Sequence, residues 1–85
     1  MTADLNTAFE AAKAASMELS ERPANAVLLK LYALYKQGSV GDNTEPKPGF
    51  ADFVASAKWN AWNELKGTAQ DAAKQQYIDL IASLE

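Results

Sequence analysis

The chain contains 85 residues, has neither cysteine nor histidine, and carries a formal net charge of −3. This length predicts one domain over residues 1–85, and the missing residue types exclude disulfide frameworks, thiolate or imidazole metal sites and histidine-based triads. The negative balance argues against nucleic acid as a partner, because phosphate backbones attract basic surfaces.

The first predicted helix begins near Asp4. Small or apolar positions recur every three or four residues from Leu5 to Leu19, the spacing of a helix that buries one stripe. Pro23 interrupts the pattern, because proline donates no backbone hydrogen bond and disfavours the helical conformation in the residue before it. A second helix is predicted from about Asn25 to Gln37.

The second helix has two distinct faces at about 100° per residue. The face assigned to the core carries Leu28, Leu31 and Tyr35, with Val27 and Leu34 beside it. The other face carries Leu29, Tyr32, Ala33 and Lys36. Because this second face mixes an aliphatic chain, a phenol, a small residue and a cation, it suits a ligand better than a core.

Residues 38–49 are predicted to form a loop, because they hold three of the four glycines and two of the three prolines. Loops of this length in a small helical domain are commonly functional or spanning connections. A third helix is predicted from about Asp52 to Lys66, with Gly67 as its C-terminal stop. The apolar residues assigned to its core face are Phe50, Phe53, Val54, Ala57, Ala61 and Leu65.

The fourth predicted helix follows a capping signal at residues 68–71. Thr68 is expected to accept hydrogen bonds from backbone amides, and Asp71 is favoured by the helix dipole. The core stripe of this helix comprises Ala69, Ala73, Tyr77, Leu80 and Leu84, with Ile81 alongside. No strand-like alternation is visible, so the sequence predicts an all-α fold.

Two helices place a lysine one turn from an aromatic ring. Tyr32 and Lys36 are paired in this way on the second helix, and Lys58 and Trp62 on the third. Such pairs suit a ligand that carries a flat base and phosphates, although a lysine stem packed on an exposed ring gives the same pattern. Trp59 and Trp62 cannot both point at one spot, so we expect at least one to be buried.

The polar residues give no sign of catalysis or metal binding. The carboxylates are scattered over polar helix faces, without the paired spacing in an apolar run that general acid–base chemistry needs. Asp42, Asn43 and Glu45 are too few for an EF-hand loop and lack its central glycine. We therefore expect no enzyme, no metal site and no cofactor.

The hydropathy of the chain predicts a soluble, cytoplasmic protein without stable membrane insertion. No apolar run approaches the roughly 20 residues needed to cross a bilayer. Asp4 and Glu10 stand where a secretory signal would be basic and then apolar, and the lack of cysteine fits a reducing compartment. A monomer is the default expectation.

Five short motifs follow one another along the chain in an unusual order and spacing. They are Tyr-x-x-Tyr-Lys-Gln at 32–37, Gly-Asp at 41–42, Pro-Gly at 48–49, Lys-Trp-x-Ala-Trp at 58–62 and Lys-Gly at 66–67. Together they strongly resemble the acyl-CoA-binding protein family, from about Phe9 to Leu84. The resemblance implies a four-helix bundle of up-down-down-up arrangement, with a long loop between helices 2 and 3. It also implies an intracellular carrier and pool former that binds medium- to long-chain acyl-CoA esters without reacting with them.

The resemblance also implies which residues contact the ligand. Those expected around the adenine and the 3′-phosphate are Tyr32, Tyr35, Lys36, Lys58 and Tyr77. An apolar groove for the acyl chain is expected where helices 1, 2 and 3 approach. Its candidate lining residues are Phe9, Met17, Leu29 and Ala57.

The chain departs from the family pattern at two positions. Met17 stands where the family often has a lysine that reaches the ligand; either an apolar contact replaces it, or Lys13, one turn earlier, reaches instead. Gly38 stands where the family often has alanine, which should loosen the end of helix 2 by up to ~1 kcal/mol.

Two other functions stay open on the sequence alone. A helical interaction module would use the exposed aromatic and apolar face to dock a helix of a partner protein. An acyl-CoA hydrolase would cleave the thioester of a bound ligand. The carrier differs from the interaction module because it should depend on the CoA head, and it differs from the hydrolase because its ligand should stay intact.

Overall fold

The computed structural model describes residues 2–85 and contains four α-helices in that range. They are α1 (Thr2–Ser16), α2 (Asn25–Ser39), α3 (Phe53–Asn63) and α4 (Gln70–Leu84). The predicted all-α fold is confirmed, and residues 40–52 form the long connection between α2 and α3. None of the helices in residues 2–85 has the length and apolarity required to cross a membrane.

The helices do not all pack on one another. Helix α4 packs against both α1 and α2, and α3 packs against α2. Within residues 2–85, no Cα atom of α1 comes within 8 Å of α2 or α3. In this range α1 does not pack on α3, and it meets α2 through side chains across a gap between the two helix backbones. The acyl groove expected where helices 1, 2 and 3 approach stays a prediction.

The core fills the space where α4 meets α1 and α2. Its buried residues are Phe9, Ala12, Leu31, Leu34, Ala73, Tyr77 and Ile81. An aromatic trio spans three helices, with ring centroids 5.4 Å apart for Phe9 and Tyr35, 5.3 Å for Phe9 and Tyr77, and 5.9 Å for Tyr35 and Tyr77. These contacts connect α1 to α2 through side chains rather than through close backbone packing.

Three apolar residues assigned to the core of helix 3 are exposed instead. The exposed fractions are 92% for Phe50, 80% for Phe53 and 67% for Val54. Among the four helices of residues 2–85, α3 packs on α2 but not on α1 or α4, and its buried residue is Trp62, near the C-terminal end. The first turn of α3 therefore extends beyond the core. Ala33 shows the opposite error, because it was assigned to the ligand face but is buried.

Several helix ends differ from the prediction: α1 ends at Ser16 rather than near Leu19, and α3 ends at Asn63 rather than Lys66. Helix α4 begins after Ala69, with no side-chain cap, so the proposed capping role of Thr68 is wrong. The backbone of Thr68 is used in the turn instead, where its N–H donates to the carbonyl of Leu65 over 2.9 Å. Gly38 does not end α2; it is buried, and a Cβ added there would lie 3.0 Å from Cγ of Lys74.

Hydrogen bonds from buried side chains fasten the long connection to the helices. Gln37 is fully buried, and its Nε2 donates to Oδ1 of Asp42 over 2.9 Å and to the carbonyl of Thr68 over 2.8 Å. The indole N–H of Trp62 donates to the carbonyl of Gly41 over 2.9 Å. The expectation that at least one tryptophan is buried is confirmed by Trp62, and these bonds hold the connection beside Lys36.

Candidate functional site

The gap between α1 and α2 forms a cavity of about 400 Å³, which we call the head cavity. Residues from α1, α2, α4 and the connection between α1 and α2 line it: Lys13, Ser16, Leu19, Pro23, Leu28, Leu31, Tyr32, Tyr35, Lys36 and Tyr77. This lining includes three phenols and two ammonium groups but no carboxylate. The cavity is therefore suited to a ligand that is both aromatic and anionic.

Each of three lysines around this region lies over an aromatic ring. The distance from Nζ to the ring centroid is 4.0 Å for Lys13 over Tyr35, 4.8 Å for Lys36 over Trp62 and 5.4 Å for Lys58 over Tyr32. The rings attract these cations electrostatically and leave the ammonium groups beside flat surfaces. A base and a phosphate of one ligand could be recognised side by side here.

A second cavity, the α2–α3 groove, has a volume of about 410 Å³. Its lining residues are Arg22, Asn25, Leu28, Leu29, Tyr32, Phe53, Val54, Ala57 and Lys58. Leu28 and Tyr32 line both the groove and the head cavity. The two cavities therefore adjoin at one turn of α2. Three phenols and two lysines are among the residues that line the first, and the second combines apolar side chains with Arg22, Asn25 and Lys58.

The structure places the residues expected around the CoA head close to this junction. Tyr32, Tyr35, Lys36 and Tyr77 line the head cavity. Lys58 lines the groove, and its ammonium reaches back towards the ring of Tyr32. Tyr32, Tyr35 and Lys36 lie close together on α2. Lys58 of α3 approaches the ring of Tyr32, and Tyr77 of α4 approaches the ring of Tyr35.

The residues expected around the acyl chain separate into two pairs. Leu29 and Ala57 line the α2–α3 groove on facing helices. Phe9 is 3% exposed and packs on Tyr35 in the core, and Met17 is 77% exposed just beyond the end of α1. Neither Phe9 nor Met17 lines the groove or the head cavity. The separation follows from the gap beside α1, which keeps that helix away from α3.

Sequence reasoning missed Leu28 and two residues on the rim of the groove. Leu28 was assigned to the core, yet it is half-buried and lines both cavities. Its position one turn before Tyr32 on the same helix face could have indicated this role. Phe53 and Val54 had no such signal, because only the packing of α3 decides that they line a groove.

These two adjoining cavities on four helices define a small binding protein. A family model for acyl-CoA-binding protein matches residues 6–81. The chain is 49% identical over 80 residues to acyl-CoA-binding protein homolog 1 of Caenorhabditis elegans, covering 94% of this chain and 93% of that protein. It is 47% identical over 76 residues to the acyl-CoA-binding protein homolog of Drosophila melanogaster, covering 89% and 88% respectively.

A comparison of folds agrees with the sequence matches. The structure aligns with the crystal structure of Oryza sativa acyl-CoA-binding protein 2 with a TM-score of 0.94 and 31% identity, over 98% of this chain and 90% of that one. The chain belongs to the acyl-CoA-binding protein family. The family resemblance and the four-helix fold expected from the sequence are thereby confirmed.

Proposed function

We propose that this protein binds medium- to long-chain acyl-CoA esters non-covalently, as an intracellular carrier and pool former. The observation that carries the proposal is the junction of two cavities at Leu28 and Tyr32. Three phenols and two lysines line the first, and the second joins an apolar surface from two facing helices to the cations Arg22 and Lys58. An acyl-CoA ester has the same division, with an anionic nucleotide at one end and an aliphatic chain at the other. Family membership supports the same ligand class.

The head cavity supplies the groups that the nucleotide needs. Stacking of a base on an aromatic ring contributes about 1–3 kcal/mol, and the half-buried Tyr32 and Tyr35 offer two rings, whereas the buried Tyr77 packs against the ring of Tyr35. We assign the 3′-phosphate to Lys36 and Lys58, because their ammonium groups lie over rings on either side of the same junction. Lysine side chains are flexible enough to follow a phosphate as it settles.

The α2–α3 groove supplies the apolar surface for the acyl chain. Burial of each CH₂ contributes about 0.8 kcal/mol, so ~14 methylenes offer on the order of 11 kcal/mol before the costs of ordering. Leu29 and Ala57 line the walls, and the exposed Phe53 and Val54 extend the apolar surface outwards. The acyl chain of the ligand therefore provides most of the affinity, and the CoA head group provides the selectivity.

Calorimetric titration with four ligands tests the proposal. Palmitoyl-CoA should bind far more tightly than palmitate. Its affinity should also be at least roughly tenfold higher than that of octanoyl-CoA, because fewer methylenes are buried in the shorter ester. Removal of the 3′-phosphate should weaken binding. The thioester should remain intact during incubation, since we propose binding without turnover. Equal affinity for palmitoyl-CoA and palmitate would contradict the assigned head site.

A helical interaction module is the second candidate, because Phe50, Phe53 and Val54 form an exposed apolar row at the start of α3. Phe53 and Val54 also line the groove, so a docked helix and an acyl chain would compete for the same surface. Such a module should bind acyl-CoA and free fatty acid with equal affinity, or bind neither. Insensitivity to the 3′-phosphate in the titration would favour this alternative.

A further inference from the structure

Lys13 is the only basic residue of α1, and it lines the head cavity from a different helix than Lys36, which belongs to α2. Its Nζ lies 4.0 Å from the centroid of the Tyr35 ring. Because the cavity lining contains no carboxylate, no acidic group of the lining competes for this ammonium. Its charge is therefore directed at whatever occupies the cavity.

Met17 cannot place its side chain in the same way. It follows Ser16, the last residue of α1, and it is 77% exposed, with no part in the lining of the head cavity or the groove. Lys13 lies one turn earlier, within the helix, where its backbone is fixed by the packing of α1 on α4. Of these two positions, only Lys13 brings a side chain to the cavity.

We propose that Lys13 is the α1 phosphate ligand of this protein, an inference that rests on the proposed function. The ammonium of Lys13 lies over the ring of Tyr35, an attraction weaker than a charge-assisted hydrogen bond to a phosphate. A CoA phosphate entering the cavity draws the ammonium away from the ring. The same movement uncovers the ring of Tyr35 for the base.

This contact also ties two helices together. Helices α1 and α2 have no Cα atoms within 8 Å of each other in residues 2–85, and side chains such as Phe9 and Tyr35 connect them. A ligand held by Lys13 on one side and Lys36 on the other bridges this gap. Ligand binding should therefore slow local opening of α1, because opening would break a contact to the ligand.

The test compares Lys13→Met, Lys13→Arg and a matched control, Lys30→Met, in calorimetric titrations with palmitoyl-CoA. Lys30 is an exposed lysine of α2 outside the lining of both cavities. Lys13→Met should weaken binding roughly tenfold at low salt, as expected for the loss of a charged hydrogen bond. Lys13→Arg should largely retain affinity, Lys30→Met should resemble the unaltered protein, and the loss should shrink as salt is added.

Hydrogen exchange provides a second readout that a purely structural role would not change. In the unaltered protein, saturating palmitoyl-CoA should protect the amides of α1, whereas in ligand-saturated Lys13→Met the added protection of α1 should be lost. If Lys13→Met binds as tightly as Lys30→Met and protects α1 equally, the assignment of Lys13 is overturned while the proposed function stands. If the unaltered protein binds no palmitoyl-CoA, the proposed function itself fails.

Discussion

Replacement of Gln37 by methionine tests how the long connection is fastened to the helices. The side chain of Gln37 is fully buried, and its Nε2 donates to the carbonyl of Thr68 over 2.8 Å and to Oδ1 of Asp42 over 2.9 Å. Methionine has a similar volume but cannot donate, so both bonds are lost, and the substitution also removes the buried Oε1, which has no hydrogen-bond partner in residues 2–85. The substitution therefore separates hydrogen bonding from packing.

The expected cost follows from the acceptor that is left behind. A buried acceptor without a donor costs about 1–3 kcal/mol, and the cost for the carbonyl of the half-buried Thr68, which would lose the donor that Gln37 supplies, falls toward the lower part of this range. Loss of the bond to Asp42 adds to this cost. We expect Gln37→Met to lower the free energy of unfolding by about 2 kcal/mol, a large part of the roughly 4–13 kcal/mol typical of 85 residues.

Urea unfolding, followed by helical circular dichroism, measures this change. The matched control is Gln76→Met, which makes the same substitution at an exposed position of α4. Gln37→Met should move the midpoint to lower urea with little change in slope, because the buried area is similar. A free energy of unfolding within about 0.5 kcal/mol of the Gln76→Met value would refute the reasoning, since surface substitutions alone vary by that amount.

Three further predictions concern the candidate site and the hydrogen bonds that hold the long connection at Asp42. Lys36→Ala should weaken palmitoyl-CoA binding by more than ~1 kcal/mol in calorimetry, because it removes a charged partner of the head group. Ala57→Phe should fill the α2–α3 groove and weaken palmitoyl-CoA binding more than octanoyl-CoA binding in the same assay. The backbone N–H of Gly67, followed by the Gln37 side chain, lowers the pKa of Asp42 below its ordinary value of 3.8. A carboxyl with a lowered pKa stabilises the fold above its ordinary pKa, and this stabilisation is lost as the pH falls through its folded pKa. Asp42→Asn should therefore be less stable than the unaltered protein in urea unfolding at pH 7. The difference in stability should shrink in acid below about pH 3.8.

Each of these predictions has a contradicting outcome. If Lys36→Ala binds palmitoyl-CoA with unchanged affinity, and a shorter acyl chain still weakens binding as in the unaltered protein, Lys36 does not belong to the site. Equal weakening for both chain lengths in Ala57→Phe would place the acyl chain outside the groove. For Asp42→Asn, an equal stability difference at pH 7 and at pH 3 would mean that the charge of the carboxylate is not what matters.

The helices themselves could be read from the sequence because their signals are local. Apolar residues three and four apart lie on one helix face, and proline and glycine end or interrupt the pattern within one turn. The predicted second helix agrees with α2 to within two residues. Gly67 has a positive φ of 93° in the turn after α3, but α3 already ends at Asn63, with Glu64 as its C-cap, rather than at the predicted Lys66. The ligand face predicted on α2 stays a prediction: its Ala33 is buried, and Leu28 and Tyr35 of the face assigned to the core line the head cavity.

Packing between distant segments decided the rest. The sequence could not show that α1 stays apart from α2 and α3, which separates Phe9 from the groove and opens a cavity that Lys13 lines. Nor could it show that Phe53 projects beyond the core while Trp62 is buried. Periodicity determines which residues share a face of one helix, but only the tertiary arrangement determines what that face meets, because burial depends on neighbours far away along the chain.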